Sequence, residues 1–179
     1  MTGGAAKLTI ILGVPASGKT TLARRLASDL SRACICKDDI KEGLFDALGA
    51  GDGDWSRRLS DASFLACARV ARAQLSLGLS CILDGNWRPS HSCLLGALVA
   101  ECGCDAVQIW CTADPQEIVR RFTSRRRHAA HPDGAVARAE LEAWSQKEPE
   151  FIDLPGARRV FRADSPQAYA ELLRELSCL

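Results

Sequence analysis

Apolar positions along the chain fall into two alternating textures. Five short runs rich in aliphatic and β-branched side chains, at residues 8–12, 33–36, 81–83, 106–111 and 159–161, have the length and composition of strands. Longer stretches with apolar residues three and four apart separate them and predict helices at 19–30, 41–48, 59–77, 89–102, 115–127, 135–146 and 166–176. In the third of these, Arg58, Asp61, Arg69 and Arg72 share one stripe. Leu59, Phe64, Cys67, Val70, Ala71 and Leu75 fill the rest, the pattern of a core helix with a solvated face. Strands alternating with helices predict an α/β domain whose parallel sheet is covered by helices on both faces. In such a domain ligands bind at the carboxyl ends of the strands.

Composition narrows this picture. The 179 residues fit one domain, with no internal repeat or low-complexity linker to divide them. At 47% hydrophobic and 25% charged, disordered, collagen-like and coiled-coil chains are excluded. A formal net charge of +1 counts against coating a nucleic acid or a membrane by bulk charge. The positive charge is skewed, however: 18 arginines accompany 5 lysines, which favours planar contacts with phosphate or carboxylate. Nine cysteines fall mostly inside apolar runs, and the two C-x-C pairs (Cys34/Cys36 and Cys102/Cys104) lack zinc-site spacing. They read as small hydrophobes in a reducing compartment. With no signal peptide and no long apolar run, the expectation is a cytoplasmic protein with no membrane partner. Oligomeric state is open.

One run carries specific chemistry. Gly13-Val14-Pro15-Ala16-Ser17-Gly18-Lys19-Thr20 matches G-x-x-x-x-G-K-[ST], follows a strand and opens an amphipathic helix. Glycines let the backbone wrap so that successive N–H groups cradle phosphate oxygens, and the helix aims its positive end at the same anion. Lys19 is expected to reach the β- and γ-phosphates and Thr20 to ligate Mg²⁺, with Val14, Pro15, Ala16, Ser17 and Thr21 completing the cofactor-binding stretch. A base-reading N-K-x-D is missing, and Asn86 is the sole asparagine, which argues against a GTPase switch. The shortness of the chain argues against a large ATPase machine. A kinase remains, with ATP and Mg²⁺ as cofactors.

Acidic residues at strand ends supply the rest. Asp38, after the second strand, is placed to orient or deprotonate an attacking hydroxyl, since phosphoryl transfer needs mainly positioning and charge neutralisation. Helix capping is the alternative, with Asp39 the better cap. Asp84 ends the third strand in a position suited to a metal-bound water beside Thr20. Asp84-Gly85-Asn86 and Arg88-Pro89 also read as turn chemistry.

The run Asp38-x-Ile40-Lys41-x-Gly43-Leu44 is similar to D-x-[IV]-R-x-G-L of adenylylsulfate kinases and S-D-x-x-R-G of bacterial polynucleotide 5′-kinases. The whole chain resembles the small P-loop kinases of the zeta-toxin, polynucleotide-kinase and antibiotic-phosphotransferase grouping. That resemblance implies a three-layer P-loop NTPase fold, with a five-stranded parallel sheet in the nucleoside-kinase-like order 2-3-1-4-5 and a small helical lid near 121–147. It makes Asp38 the general base and puts Lys41, in place of the usual arginine, at substrate or phosphate without the bidentate fork. The run after Leu83 resembles D-A-T-N of polynucleotide kinases, which makes Asn86, Trp87 and Arg88 substrate-side candidates. Such kinases close an arginine-rich helix over ATP, so Arg121, Arg125 and Arg126 become candidates for the transferring phosphate, Arg126 as a catalytic one. The helix from Pro115 is expected to continue through Arg127, with Arg126 near the Phe122 face. The turn from His131 resembles an H-P-G-H run without its second histidine, and no role passes to it. Ala163-Asp164-Ser165-Pro166 falls where such kinases place the loop beside adenine.

The expectation is therefore an ATP- and Mg²⁺-dependent kinase acting on a hydroxyl of a small molecule. A polynucleotide 5′-hydroxyl kinase is the first alternative, with Trp55, Trp87, Arg57 and Arg58 as its stacking and basic residues, and near-neutral charge against it. A nucleotide-binding regulator without transfer chemistry is the second. Runs diagnostic of adenylylsulfate and gluconate kinases are missing, so the acceptor is unnamed.

Overall fold

The computed structural model describes residues 5–131 and 136–178, with the side chains of Pro166 and Cys178 left aside. The elements run β1 (Lys7–Leu12), α1 (Lys19–Leu30), β2 (Ala33–Cys36), α2 (Lys37–Leu48), α3 (Gly53–Ser76), β3 (Cys81–Asp84), α4 (Ser92–Cys102), β4 (Asp105–Thr112), α5 (Pro115–Ser124), α6 (Arg138–Ser145), β5 (Ala157–Arg162) and α7 (Pro166–Cys178). One 3₁₀ turn, Pro89–His91, leads into α4. All four strand pairings are parallel, and the sheet order is β2-β3-β1-β4-β5. The expected α/β architecture and strand order are both present.

The period-2 alternation of the strands sorts the core into two layers. Leu8, Ile10 and Leu12 of β1 face Phe64, Cys67, Ala71 and Leu75 of α3 and Leu95, Leu98 and Val99 of α4. From the opposite face, Ile11, Ile82, Val107, Ile109 and Cys111 meet Leu22, Ala23 and Leu26 of α1 and Tyr169, Leu172 and Leu176 of α7. Because Ile82 faces α1, Asp84 two residues later points the same way, toward the start of that helix. Gln108 turns inward on β4, and its amide donates to the Ile152 carbonyl at 3.0 Å and accepts from the Ile152 N–H at 2.8 Å. These two bonds tie down the irregular chain before β5, where a buried backbone would otherwise be unpaired.

Among the helix boundaries that differ from the periodicity reading, three shape the surroundings of the β2 and β4 strand ends. α2 begins four residues early, at Lys37, directly out of β2 with Cys36 as its cap residue and no side-chain cap bond. Asp39 is therefore no cap: its carboxylate takes both bonds from one Arg24 guanidinium nitrogen, at 3.1 and 3.2 Å. α3 starts at Gly53, six residues early, capped by the Asp52 carboxylate accepting from Trp55 N at 2.8 Å. α5 stops at Ser124, and Arg125 is extended at φ −76° and ψ 142°. The Thr123 and Ser124 hydroxyls donate back to carbonyls of the last turn, local bonds that compete with helix continuation.

Of the nine cysteines, Cys36, Cys67, Cys81, Cys104 and Cys111 are buried among apolar side chains, and Cys93 is exposed. Among the described residues all are free thiols and no helix is long and apolar enough to cross a membrane.

Candidate active site

A cleft of about 680 Å³ opens at the carboxyl ends of β1, β2 and β3. Its floor is the loop between β1 and α1. Gly13 has φ +136°, and a Cβ there would stand 2.2 Å from the Cys111 carbonyl oxygen, so only glycine fits. Ala16 and Gly18 also take positive φ, at 64° and 98°, which wraps the loop. Lys19 Nζ donates to the Val14 carbonyl at 2.7 Å, holding the side chain across the loop with two further donors to spare. Burial pushes the Lys19 ammonium down, while Asp84 and Asp38 oppose that shift. The Ser17 hydroxyl is buried under the loop without a bonding partner among the described residues.

Asp84 is 1% exposed. Its Oδ2 accepts a weak bond from the Cys36 thiol at 3.3 Å, because parallel pairing sets Cys36 beside Asp84. Its Oδ1 is buried with no hydrogen-bond partner among the described residues. Burial drives this carboxyl up, opposed by the nearby Thr20 hydroxyl and Lys19 ammonium. A lone carboxylate oxygen beside a threonine hydroxyl is a donor set of the hard-oxygen kind that suits Mg²⁺.

The early start of α2 builds the second wall. Asp38, Glu42 and Asp46 recur every four residues along one helix face. Each meets the chain that follows α5: the Arg127 guanidinium bonds Asp38, His131 Nε2 lies 2.9 Å from Glu42 Oε1, and His128 Nε2 lies 3.0 Å from Asp46 Oδ1. A strap of three contacts thus holds residues 127–131 against α2. Lys37 Nζ also reaches Asp38, at 3.3 Å. Burial alone would raise the Asp38 carboxyl, but the Lys37, Arg127 and His131 charges together hold it below the ordinary range. Burial also pushes His131 down, against the pull of Asp38, and Glu42 supports it further.

On the other side, Arg121, Arg125, Phe161, Ala163 and Tyr169 line the cleft. Arg121 donates to Glu117 at 2.7 Å, and Glu117, shared with Arg120, is pulled down to about 2 by those bonds. The Arg125 guanidinium lies 4.3 Å from the Phe122 ring centroid, and the Arg25 guanidinium stacks 3.5 Å from that of Tyr169. The Tyr169 hydroxyl donates to Asp29 at 2.6 Å. Ala163 presses close to Gly18, so the loop before α7 flanks the phosphate cradle.

The sequence-predicted residues divide cleanly. Pro15, Ala16, Gly18, Lys19, Thr20, Thr21, Asp38, Lys41, Asp84, Asn86, Arg88, Arg121 and Arg125 line one cleft, and Gly13, Val14 and Ser17 lie beneath it. Two do not. Trp87 is 3% exposed and turned inward, its ring 4.8 Å from Phe64 and 5.4 Å from His91, so it is core and not a substrate surface. Arg126 is exposed outside the cleft lining, because α5 ends before it and the helical register assumed for it does not exist. Arg125, not Arg126, covers Phe122, and Arg127 enters the cleft. Sequence reasoning passed over Lys37, Arg127, His131, Arg25 and Tyr169. Only Lys37 had a local signal, its place beside Asp38 at a strand end.

Comparison with known proteins agrees with this geometry. The sequence model of the AAA domain family matches residues 8–147. Uncharacterized proteins of Mycobacterium tuberculosis and Mycobacterium bovis are 30% identical over 128 residues, covering 66% of this chain and 26% of theirs. The chain thus spans about a quarter of the length of those relatives. Among solved structures, a candidate kinase from Chloroflexus aurantiacus superposes with a TM-score of 0.85 at 29% identity, covering 97% of each chain. The adenylylsulfate (APS) kinase of M. tuberculosis, in complex with AMPPNP and APS, gives 0.61 at 17% identity over 96% of this chain and 95% of that one. At that identity the second likeness concerns the fold. With its phosphate loop, its β2-β3-β1-β4-β5 sheet and its match to the family over residues 8–147, the chain belongs to the AAA domain family and is a small P-loop protein of kinase-like fold.

Proposed function

We propose that this protein transfers the γ-phosphoryl group of ATP to a hydroxyl of a small molecule. One observation carries the reading: a phosphate loop with Lys19, a buried carboxylate at Asp84 and a second carboxylate at Asp38 converge on one cleft of about 680 Å³. The donor's phosphates lie on the N–H groups of residues 13–20, with the Lys19 ammonium across the β- and γ-oxygens. Thr20 and Asp84 would hold Mg²⁺, and the partnerless Asp84 Oδ1 supports that assignment. Held there, Mg²⁺ would supply charge neutralisation for the donor's phosphates. Arg121 and Arg125 flank the phosphate loop from α5 and its end, placed to stabilise charge on the transferring group.

Asp38 faces the acceptor. A carboxylate held below its ordinary range is a weak base, yet the loose transition state of phosphoryl transfer asks chiefly for an aligned nucleophile. Asp38 therefore accepts the acceptor's O–H hydrogen bond and takes the proton late, as the oxygen–phosphorus bond forms and ADP departs. Burial of Trp87 removes a stacking surface from the polynucleotide alternative. A panel of hydroxyl compounds with γ-labelled ATP tests the proposal. Label must move to at least one acceptor; slow hydrolysis at the same rate with every compound refutes it.

A further inference from the structure

Away from the cleft, the outward face of α3 has a chemistry unlike that of a helix side left in water. Six large apolar side chains are exposed among the described residues, and four of them lie on α3 or just beyond it: Leu65, Val70, Leu77 and Leu79. Leu65 is 49% exposed and Leu77 75%. The periodicity reading put Val70 in the core, but the helix turns it outward. Beside α3 runs α4, whose only charged residue is Glu101 and whose exposed positions include Cys93, Ala97 and Ala100. Arg72 bonds Glu101 at 2.9 Å, and the His91 ring just before α4 lies 4.2 Å from the Phe64 ring, so the two helices form one layer. A helix apolar on all sides is ordinarily covered on all sides.

Charge is arranged along the same face. Asp61, Leu65, Arg69, Ala73 and Leu77 recur every four residues and are all exposed, the kind of row that forms a ridge in helix packing. Leu65 lies midway between Asp61 and Arg69, about 6 Å from each along the axis. Neither Asp61 nor Arg69 has an ion pair among the described residues, although Arg57 and Arg72 of the same helix do, with Asp54 and Glu101. Opposite charges equally spaced about an apolar residue make the ridge self-complementary. Turned end for end by a two-fold axis through Leu65, it sets Asp61 of each copy against Arg69 of the other. Arg58 then falls opposite Arg72, whose charge Glu101 already offsets.

We propose that this face joins two copies of the chain, with the α3 helices antiparallel across a two-fold axis at Leu65 and Asp61 of each copy paired to Arg69 of the other. Exposed Ala62 and Ala73 flank Leu65 with small side chains, which lets the two helices approach closely. Burial of Leu65, Val70 and Leu77 drives association, and the two charge pairs fix its register and direction. This contact is independent of the phosphotransferase reading, since none of its residues lines the cleft.

Sedimentation velocity over a concentration series tests the contact. Wild type is expected to sediment as a dimer that dissociates on dilution. Asp61→Arg and Arg69→Asp should each weaken association by about tenfold or more, because like charges then face each other at both ends of the contact. An equimolar mixture of these two variants should regain the dimer, since one presents only positive and the other only negative charge. Unfolded chains would not, so the mixture separates a lost contact from a folding defect. The double reversal Asp61→Arg/Arg69→Asp restores both pairs and should associate within about threefold of wild type. Leu65→Glu places two carboxylates on the axis and should leave a folded monomer. Wild type that stays monomeric up to its solubility limit overturns the proposal and leaves the face to a different partner. It is overturned equally by single reversals that associate like wild type, by a mixture and a double reversal as weak as the singles, or by a dimer that Leu65→Glu does not disturb.

Discussion

The two ends of the cleft are built by different means. At the donor end the ligand-facing groups are mainly backbone N–H groups of one contiguous loop, positioned by positive φ at Gly13, Ala16 and Gly18. At the acceptor end they are side chains from α2, from the turn after β3 and from the strap after α5, brought together across 89 residues of sequence in the case of Asp38 and Arg127. A contiguous backbone cradle tolerates little change in its glycines but is indifferent to most side chains. A pocket assembled from separate side chains can change ligand by substitution.

Variants should expose this division. Lys19→Ala acts on the donor end and should reduce kcat/KM by about a thousandfold, the scale of losing one charge-stabilising donor, with a raised KM for ATP. Asp38→Ala should lower kcat by about a hundredfold or more and leave AMPPNP affinity within about twofold, as measured by calorimetry. Equal damage to nucleotide affinity would dissolve the distinction between the ends. Trp87→Ala should cost about 3–5 kcal/mol in denaturant unfolding, because the ring is core, with nearly unchanged acceptor KM in the folded fraction.

The strap offers a finer contrast. Arg127→Ala should weaken turnover by about tenfold, on the order of one charge-assisted hydrogen bond, whereas Arg126→Ala should stay within about twofold. The smallest effect concerns pH. Asp38 is depressed in the folded protein, so it favours the folded state above the unfolded aspartate range, and that contribution is lost as pH falls through the folded value. Activity should therefore persist below the ordinary aspartate range on its acid side. Arg127→Ala removes one of the charges that depress Asp38, so the acid limb of kcat should move to higher pH; a limb that stays put would show that Lys37 and His131 suffice.

Reading the same chain as a sequence reached some of these features and missed others for physical reasons. The phosphate loop, the strands and the position of Asp84 are local: alternation along β3 alone puts Asp84 on the α1 side. The start of α2 was not legible, because no cap residue or turn marks it, and the chain passes from strand to helix without a loop. That error hid the four-residue spacing of Asp38, Glu42 and Asp46. The end of α5 was hidden too, since neither glycine nor proline stops it and back-bonding from Thr123 and Ser124 acts in the last turn. Trp87 shows a different failure. Next to Asn86 and Arg88 it resembles a surface residue, and only the position of Phe64, over twenty residues earlier on α3, turns it into core.

Sequence by itself determined the fold class, the donor cradle and the carboxylates at the strand ends, because each depends on period, on glycine φ or on strand register. Tertiary structure decided which basic residues line the far end of the cleft. Lys37 and Lys41 come from α2, Arg88 from the turn after β3, and Arg127 and His131 from the chain after α5, three segments that no local pattern brings together.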